Sequence, residues 1–168
     1  MPTARKKKTS AKQAETKGPF IRTVADNRRA RFDYDVIDSV EAGIVLGGTE
    51  IKSIRAGKAT IRDGYAQVRD GQMWLQNVHI APWTGGGPWN HEPVHARRVL
   101  MHKDEIVRWG KLAGQQGLTI VPLRIYMKGH FAKVELALVR GRRQYDKRKV
   151  IQQRETDREI ARAIRQAV

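Results

Sequence analysis

Asp33, Asp35 and Asp38, with His91 and His95 further along, are the residues whose types and spacing could do chemistry in this chain. Neighbouring carboxylates can divide general acid and general base work or hold a divalent ion. Their mixed spacing along a strand-like segment is equally well explained by solvent exposure at a strand edge. No nucleophile motif is present, and no phosphate-cradling GK[ST] follows any glycine cluster. The two histidines stand four apart, as metal ligands on a helix would, but Pro88 and Pro93 oppose a helix there. No Cys or third His completes a site, so they read as loop histidines. The expectation is a protein with no catalytic residue, no metal and no cofactor.

Cations offer the other chemistry. RGRRQYDKR, residues 140–148, puts five cations, one Tyr and one Asp directly behind the apolar run FAKVELALV. Such a run is either a solvated exit from a domain or a segment that touches a polyanion, and the distribution of charge decides. The formal net charge is +16. Residues 1–31 carry 10 Lys and Arg against 2 acids, residues 140–168 carry 10 against 4, and residues 32–139 carry 13 against 11. Fourteen of the excess charges therefore lie on two arms flanking a nearly neutral body. Solubility explains a modest excess but not this concentration at both ends. Lys and Arg that neutralise phosphates release condensed counterions and gain affinity from it, so a nucleic acid is the expected partner.

Within the body, Arg28, Arg29 and Arg31 of NRRARF lie on about one helical turn, with only Asp26 and Asp33 at the margins to pair with them. That favours phosphate contact over a merely solvated face. The loop PWTGGGPW interleaves Trp83 and Trp89 with flexible backbone. The rings either stack on single-stranded bases or fold back to close one end of the domain, and closure is the favoured reading.

These groups need a scaffold. A chain of 168 residues, 40 % hydrophobic and 30 % charged, suits one core plus tails. No run approaches the roughly 18 apolar residues of a bilayer crossing, and MPTARKKKTSAKQAETKG lacks the apolar stretch of a secretory signal. Without Cys there are no disulfides or thiolate metal sites, and the cytosol is the expected compartment. Residues 1–18 read as a disordered basic arm. Asn27 caps a short basic helix, and Tyr34, Val36 and Ile37 begin a strand that continues through SVEAGIVLGG, with Gly43 a bulge or close-approach position. GGTEIKSIRAGK is a short helix capped by Thr49, with Glu50 near its positive end and a left-handed Gly57 closing it.

Further on, Asp70-Gly71 supplies the type I′ turn of a hairpin around Val68 and Leu75, and Pro82, Pro88 and Pro93 mark a long loop. RRVLMH is a strand. HKDEIVRWGKLAGQQG is a helix with Ile106, Trp109 and Leu112 on one stripe and Gly117 as its stop. Two strands flank Lys128-Gly129-His130, with Pro122 implying an edge or a bulge. The sum is a mainly β fold, a small barrel with peripheral helices over residues 19–140. Residues 141–168 form a basic tail. Its last part has good helix formers but an apolar gap between Ile151 and Ile160, so it is expected to be helical only when bound.

Three blocks are distinctive: NRRARFDYDVIDSVEAGIVLGGTEIKSIRAGKATIRDGYAQV, GQMWLQNVHIAPW, and LTIVPLRIYMKGHFAKVELALVRGRRQYDKR. They resemble the SsrA-binding protein (small protein B) family, bacterial partners of transfer-messenger RNA, over about residues 20–165. The resemblance implies an oligonucleotide-binding-fold barrel that is a cytoplasmic monomer and no enzyme, acting in trans-translation, with elongation factor Tu as a further partner in delivery. It implies that the barrel holds the tRNA-like domain of transfer-messenger RNA, with Asn27, Arg28, Arg29, Arg31, Glu41, Val99 and Lys133 on the RNA face. It implies that the tail enters the ribosomal decoding site through Gly141, Arg142, Arg143, Tyr145, Asp146, Lys147 and Arg148. Ile151, Arg154, Arg158, Ile160 and Arg165 would then occupy the mRNA channel. Phe32 stands where many members carry His, and Val99 where Leu is usual. Two rival readings are a general single-strand RNA protein, binding mostly through phosphates, and a nuclease built on Asp33, Asp35 and histidines.

Overall fold

Residues 20–115, 117–142 and 144–166 are described by a computed structural model. In chain order its elements are β1 (Ile21–Asp26), α1 (Arg28–Asp33), β2 (Tyr34–Ile44), α2 (Gly48–Arg55), β3 (Ala59–Thr60), β4 (Tyr65–Arg69), β5 (Gln72–Gln76), β6 (His79–Ile80), β7 (Arg97–Leu100), α3 (Lys103–Ala113), β8 (Leu118–Lys128), β9 (Phe131–Gly141) and α4 (Gln144–Gln166). The large sheet runs β1-β8-β4-β5-β7-β2-β9, and β9 pairs back onto β8. Six antiparallel strands thus close into a ring. Closure is made possible by the length of β8: one edge follows β9, while the other meets β4 at Ile120 and β1 from Arg124 to Lys128. A closed ring leaves few strand edges unpaired, which is how small antiparallel barrels avoid edge-to-edge association. The mainly β barrel with peripheral helices expected above is the fold observed.

Alternation along the strands fills the ring with Ile44, Met73, Leu75, Ile120, Ile125, Val134, Leu136 and Leu138. Ile106 and Trp109 of α3 join the same core, and α3 approaches so closely that a Cβ on Gly110 would lie 3.2 Å from Val68. Trp109 packs one helix onto the barrel; Trp89 stands 89 % exposed, which overturns for that ring the expectation that the loop tryptophans fold back, while Trp83 is half-buried. A second, smaller cluster lies outside the ring, where Ala30, Val121, Leu123, Ala137 and Val139 seat α1 on the β8–β9 hairpin. The register of that hairpin shifts between Pro122 and Arg124. A bulge at a residue without an N–H is where such a shift costs least.

Several local readings hold. Asp70 and Gly71 both have positive φ, as a type I′ turn requires, and Gly57 is left-handed after α2. Gly43 is a close-approach position, with Leu100 Cβ 3.4 Å from where its own Cβ would stand. Others do not. The N-cap of α2 is Gly47, whose N–H is satisfied by Glu50 at 2.7 Å, while Thr49 bonds His91 Nδ1 at 2.9 Å. The run after Gln72 is two strands, broken at Asn77 with φ 55. Helix α4 spans 23 residues, roughly 34 Å, and its described side chains are exposed. No helix among the described residues is long and apolar enough to cross a membrane. The basic arm predicted for residues 1–18 lies outside the described residues.

Candidate nucleic-acid interface

Register across β1, β8, β9 and β2 arranges the outer barrel surface in rows. Ile21, Lys128 and Phe131 form the first; Thr23, Tyr126, Lys133 and Gly43 the second; Asp26, Arg124, Glu135 and Glu41 the third. The second row runs on to Leu100 of β7, which pairs with Gly43. Glu41 and Glu135 sit directly opposite one another, an arrangement that repels unless cations intervene. They do. Arg124 bonds Glu135 and lies over the Tyr126 ring at 4.9 Å, while Glu41 takes the Tyr126 hydroxyl, Lys128 Nζ at 3.1 Å and Lys133 Nζ at 3.7 Å.

The Tyr126 hydroxyl, followed by the two ammonium groups, holds the Glu41 carboxyl below the usual carboxylate range. Burial first, and then the Glu41 carboxylate, push the Tyr126 phenol well above its ordinary value. Glu41 is therefore ionised and occupied. It acts as the post to which two lysines are tied. The contribution of this cluster to stability is present above the ordinary carboxylate range and is lost as pH falls through the lowered Glu41 value.

Helix α1 continues the surface. Arg28, Arg29 and Arg31 are all exposed, and the marginal acids do pair with them: Asp26 lies 3.5 Å from Arg28 and 4.0 Å from Arg31, and Asp33 3.0 Å from Arg29. Exposed pairs of this kind contribute little to stability and exchange readily for phosphate.

Asn27, in contrast, is 3 % exposed. Its Oδ1 accepts from the Ala30 N–H at 3.0 Å, and its Nδ2 donates to the carbonyls of Ile61, Arg62 and Pro122. Every polar atom of that side chain is taken by the protein, so Asn27 places the arginine helix and does not itself face a ligand. Asn27→Ala removes a cap worth about 1 kcal/mol and leaves buried carbonyls short of a donor at roughly 1–3 kcal/mol more. The expected result is a stability loss of about 2–4 kcal/mol in a denaturant titration, together with faster hydrogen exchange at Ala30.

Val99 requires a second correction. It is 2 % exposed and lies in the ring core, because alternation on β7 turns Val99 inward and its neighbours Arg98 and Leu100 outward. Leu100 is the residue of that strand at the end of the second row. Lys133 and Glu41 do lie on the outer face. Tyr126, Lys128 and Arg124 escaped sequence reasoning, although their period of two along β8 puts them on one face, with Tyr126 itself buried beneath its neighbours.

The three aspartates are not brought together for chemistry. Asp33 pairs with Arg29, Asp35 with Arg142 at 2.6 Å and Asp38 with Arg108. His91 is held by Thr49 and, through Nε2, by the Ile80 carbonyl at 3.1 Å; His95 contacts the Glu92 carbonyl at 2.9 Å. Both brace the loop before β7. No group of three or more His, Cys, Asp or Glu able to hold a metal occurs among the described residues.

At the tail exit, Gly141 is the last residue of β9 and pairs with Tyr34. The Arg142 N–H donates to the Asp33 carbonyl at 3.0 Å, and its guanidinium bonds Asp35 and the Phe32 carbonyl at 3.1 Å. Arg142 is thus turned onto the body as an anchor, which removes it from the set of free tail cations. Arg143 lies outside the described residues. Tyr145, Asp146, Lys147, Arg148 and Arg154 fall on α4, and Ile151, Arg158, Ile160 and Arg165 are exposed on it.

A closed barrel whose outer rows carry tethered lysines and arginines, flanked by an arginine helix and a basic terminal helix, has the build of an RNA-binding protein. The family model described as SmpB protein matches residues 24–166. The SsrA-binding protein of Desulforudis audaxviator is 52 % identical over 145 residues, covering 86 % of this chain and 94 % of that one. The SsrA-binding protein of Thermobifida fusca is 49 % identical over 154 residues, covering 92 % and 96 %. A chain from the solved structure "tmRNA-SmpB: a journey to the center of the bacterial ribosome" superimposes with a TM-score of 0.61 at 43 % identity, covering 75 % of this chain and 92 % of that one. The chain belongs to the SmpB family.

Proposed function

We propose that this protein binds transfer-messenger RNA and acts with it in trans-translation on stalled ribosomes. The barrel rows and α1 grip the tRNA-like domain, and residues 143–168 enter the decoding site and the mRNA path. Membership of the SmpB family across residues 24–166 carries this reading. The rows support its finer part. A folded RNA elbow is recognised by shape, exposed bases and 2′-hydroxyls, and a pre-organised surface is suited to that. Lys128 and Lys133, tied to Glu41, can meet phosphate without first losing side-chain freedom. A terminal helix whose described side chains all face solvent draws little support from the body, so its docking energy is available to a partner.

The test is equilibrium binding of the full chain to a transcript of the tRNA-like domain and to an unrelated structured RNA of equal length, across a salt series. The expected outcome is a clear preference for the first at moderate salt, and a slope of log K against log salt about one unit shallower for Lys128→Ala. Equal affinity for both RNAs would favour the general phosphate-binding reading instead.

A further inference from the structure

One feature of the outer face is not used by a phosphate grip. Phe131 is 74 % exposed at the start of β9, directly across from Lys128 and on the same face as Lys133. Beside it, the Phe20 carbonyl accepts the Gly129 N–H at 3.1 Å, which brings a second ring, 76 % exposed, to the same end of the sheet. Ile21, also exposed, completes the row on the other side of Lys128. An apolar row in water is costly, and this one sits at the end of a surface otherwise made of tethered charges. The third aromatic of the face, Tyr126, cannot serve a ligand: it is buried between its neighbours and its hydroxyl belongs to Glu41.

The geometry points to a base-stacking platform: we propose that Phe131, with Phe20 and Ile21 beside it, receives an unpaired nucleobase of the bound RNA while Lys128 and Lys133 hold the adjoining phosphates. An unpaired base offers a π-face to an aromatic ring, and its own phosphate lies within the reach of a neighbouring cation; alternating aromatic and cationic side chains on a sheet is how single-stranded segments are held. A duplex has no free face to offer. The hairpin fixes the platform in advance, because Lys128 and Phe131 are cross-strand partners either side of the Gly129-His130 turn. Carboxylates are absent from the row itself, and Glu41 is engaged with Lys128 and Lys133.

This inference rests on the proposed role in RNA binding but can fail separately from it. The full-length protein is compared with Phe131→Leu, which keeps an apolar β-compatible side chain, and with Phe131→Tyr, which keeps the ring. The probes are the tRNA-like domain transcript, which has unpaired loop bases, and a fully paired RNA hairpin of equal length capped by a minimal loop. Phe131→Leu is expected to weaken binding to the first about tenfold with an unchanged salt slope, to alter binding to the second by less than about twofold, and Phe131→Tyr to match the parent on both. Ultraviolet crosslinking followed by mass spectrometry should find a nucleotide adduct on Phe131 or Phe20. A Phe131→Leu variant that binds the first RNA like the parent, or loses equally on both, overturns the platform. If the parent does not prefer the tRNA-like domain over an unrelated looped RNA, the proposed function falls, while a ring-dependent loss on looped RNAs still upholds the platform.

Discussion

Replacing Arg97 with Met should lower folding stability by about 3–5 kcal/mol and the melting temperature by roughly 10 °C. The guanidinium of Arg97, with 1 % of its side chain exposed, is shared among four acceptors: Glu50 Oε1 at 2.6 Å and the carbonyls of Val78 at 2.7 Å, His95 at 3.2 Å and Pro93 at 3.1 Å. One side chain thereby joins α2, the strand pair around β6 and the loop that carries Trp89. Met fills the volume but strips the buried Glu50 carboxylate of its guanidinium partner, leaving it the Gly47 N–H and the His95 ring, and takes a donor from three carbonyls, which is the costly way to break an ion pair.

The partner reports the same loss through pH. Burial alone would raise the Glu50 carboxyl, but the Gly47 N–H and the Arg97 guanidinium outweigh it and hold it below the ordinary range. A depressed folded-state value contributes stability above the unfolded value near ~4.3, and that contribution is lost as pH falls through the folded value. In Arg97→Met the Gly47 N–H and the nearby His95 ring are left against burial, so the gap between parent and variant should narrow in thermal melts below about pH 4. Arg97→Met combined with Glu50→Leu should recover a large part of the loss, because the unpaired charge is gone. A single variant within about 1 kcal/mol of the parent would show that the cluster is solvated and not structural.

What the sequence made legible follows from where the determining contacts lie. Asn27 as an N-cap, Asp70-Gly71 as a hairpin turn and Ile106 with Trp109 on one helical stripe are settled within a few residues, and each was readable. The strand β1 was not, since it lies on the outside of the ring with most positions exposed and so lacks the alternation that marks a half-buried strand. The site was legible in kind, through the segregation of charge, but not in detail. Glu41 lies 85 residues from Tyr126, and Glu50 lies 47 from Arg97; no local pattern reveals that either carboxylate is already engaged. Val99 shows the sensitivity of strand reasoning. An error of one position exchanges a core residue for the surface neighbour Leu100.

A chain ending at Arg142 should retain thermal stability and stay within a few-fold of full-length affinity for the tRNA-like domain, yet lose peptide tagging on stalled ribosomes altogether. The cut falls there for a structural reason. Arg142 closes the body by bonding Asp35 and the carbonyls of Asp33 and Phe32, so a chain ending at Gly141 should lose roughly 1 kcal/mol in addition. Beyond it, the described α4 side chains are exposed, including Ile151, Ile160 and Ile164, and their removal strips nothing from the core. Residues 143–168 carry 8 Lys and Arg against 4 acids, enough to weaken phosphate attraction but not to replace the rows on the barrel. In the proposed function tagging depends on the terminal helix entering the mRNA path, and an exposed basic helix some 34 Å long would gain contacts only where a channel of that length is empty. Replacing residues 143–168 by a neutral Gly-Ser stretch of equal length separates charge and helicity from mere presence. Tagging that survived this replacement would mean that the barrel alone licenses rescue, and that the terminal helix is no sensor of the mRNA path.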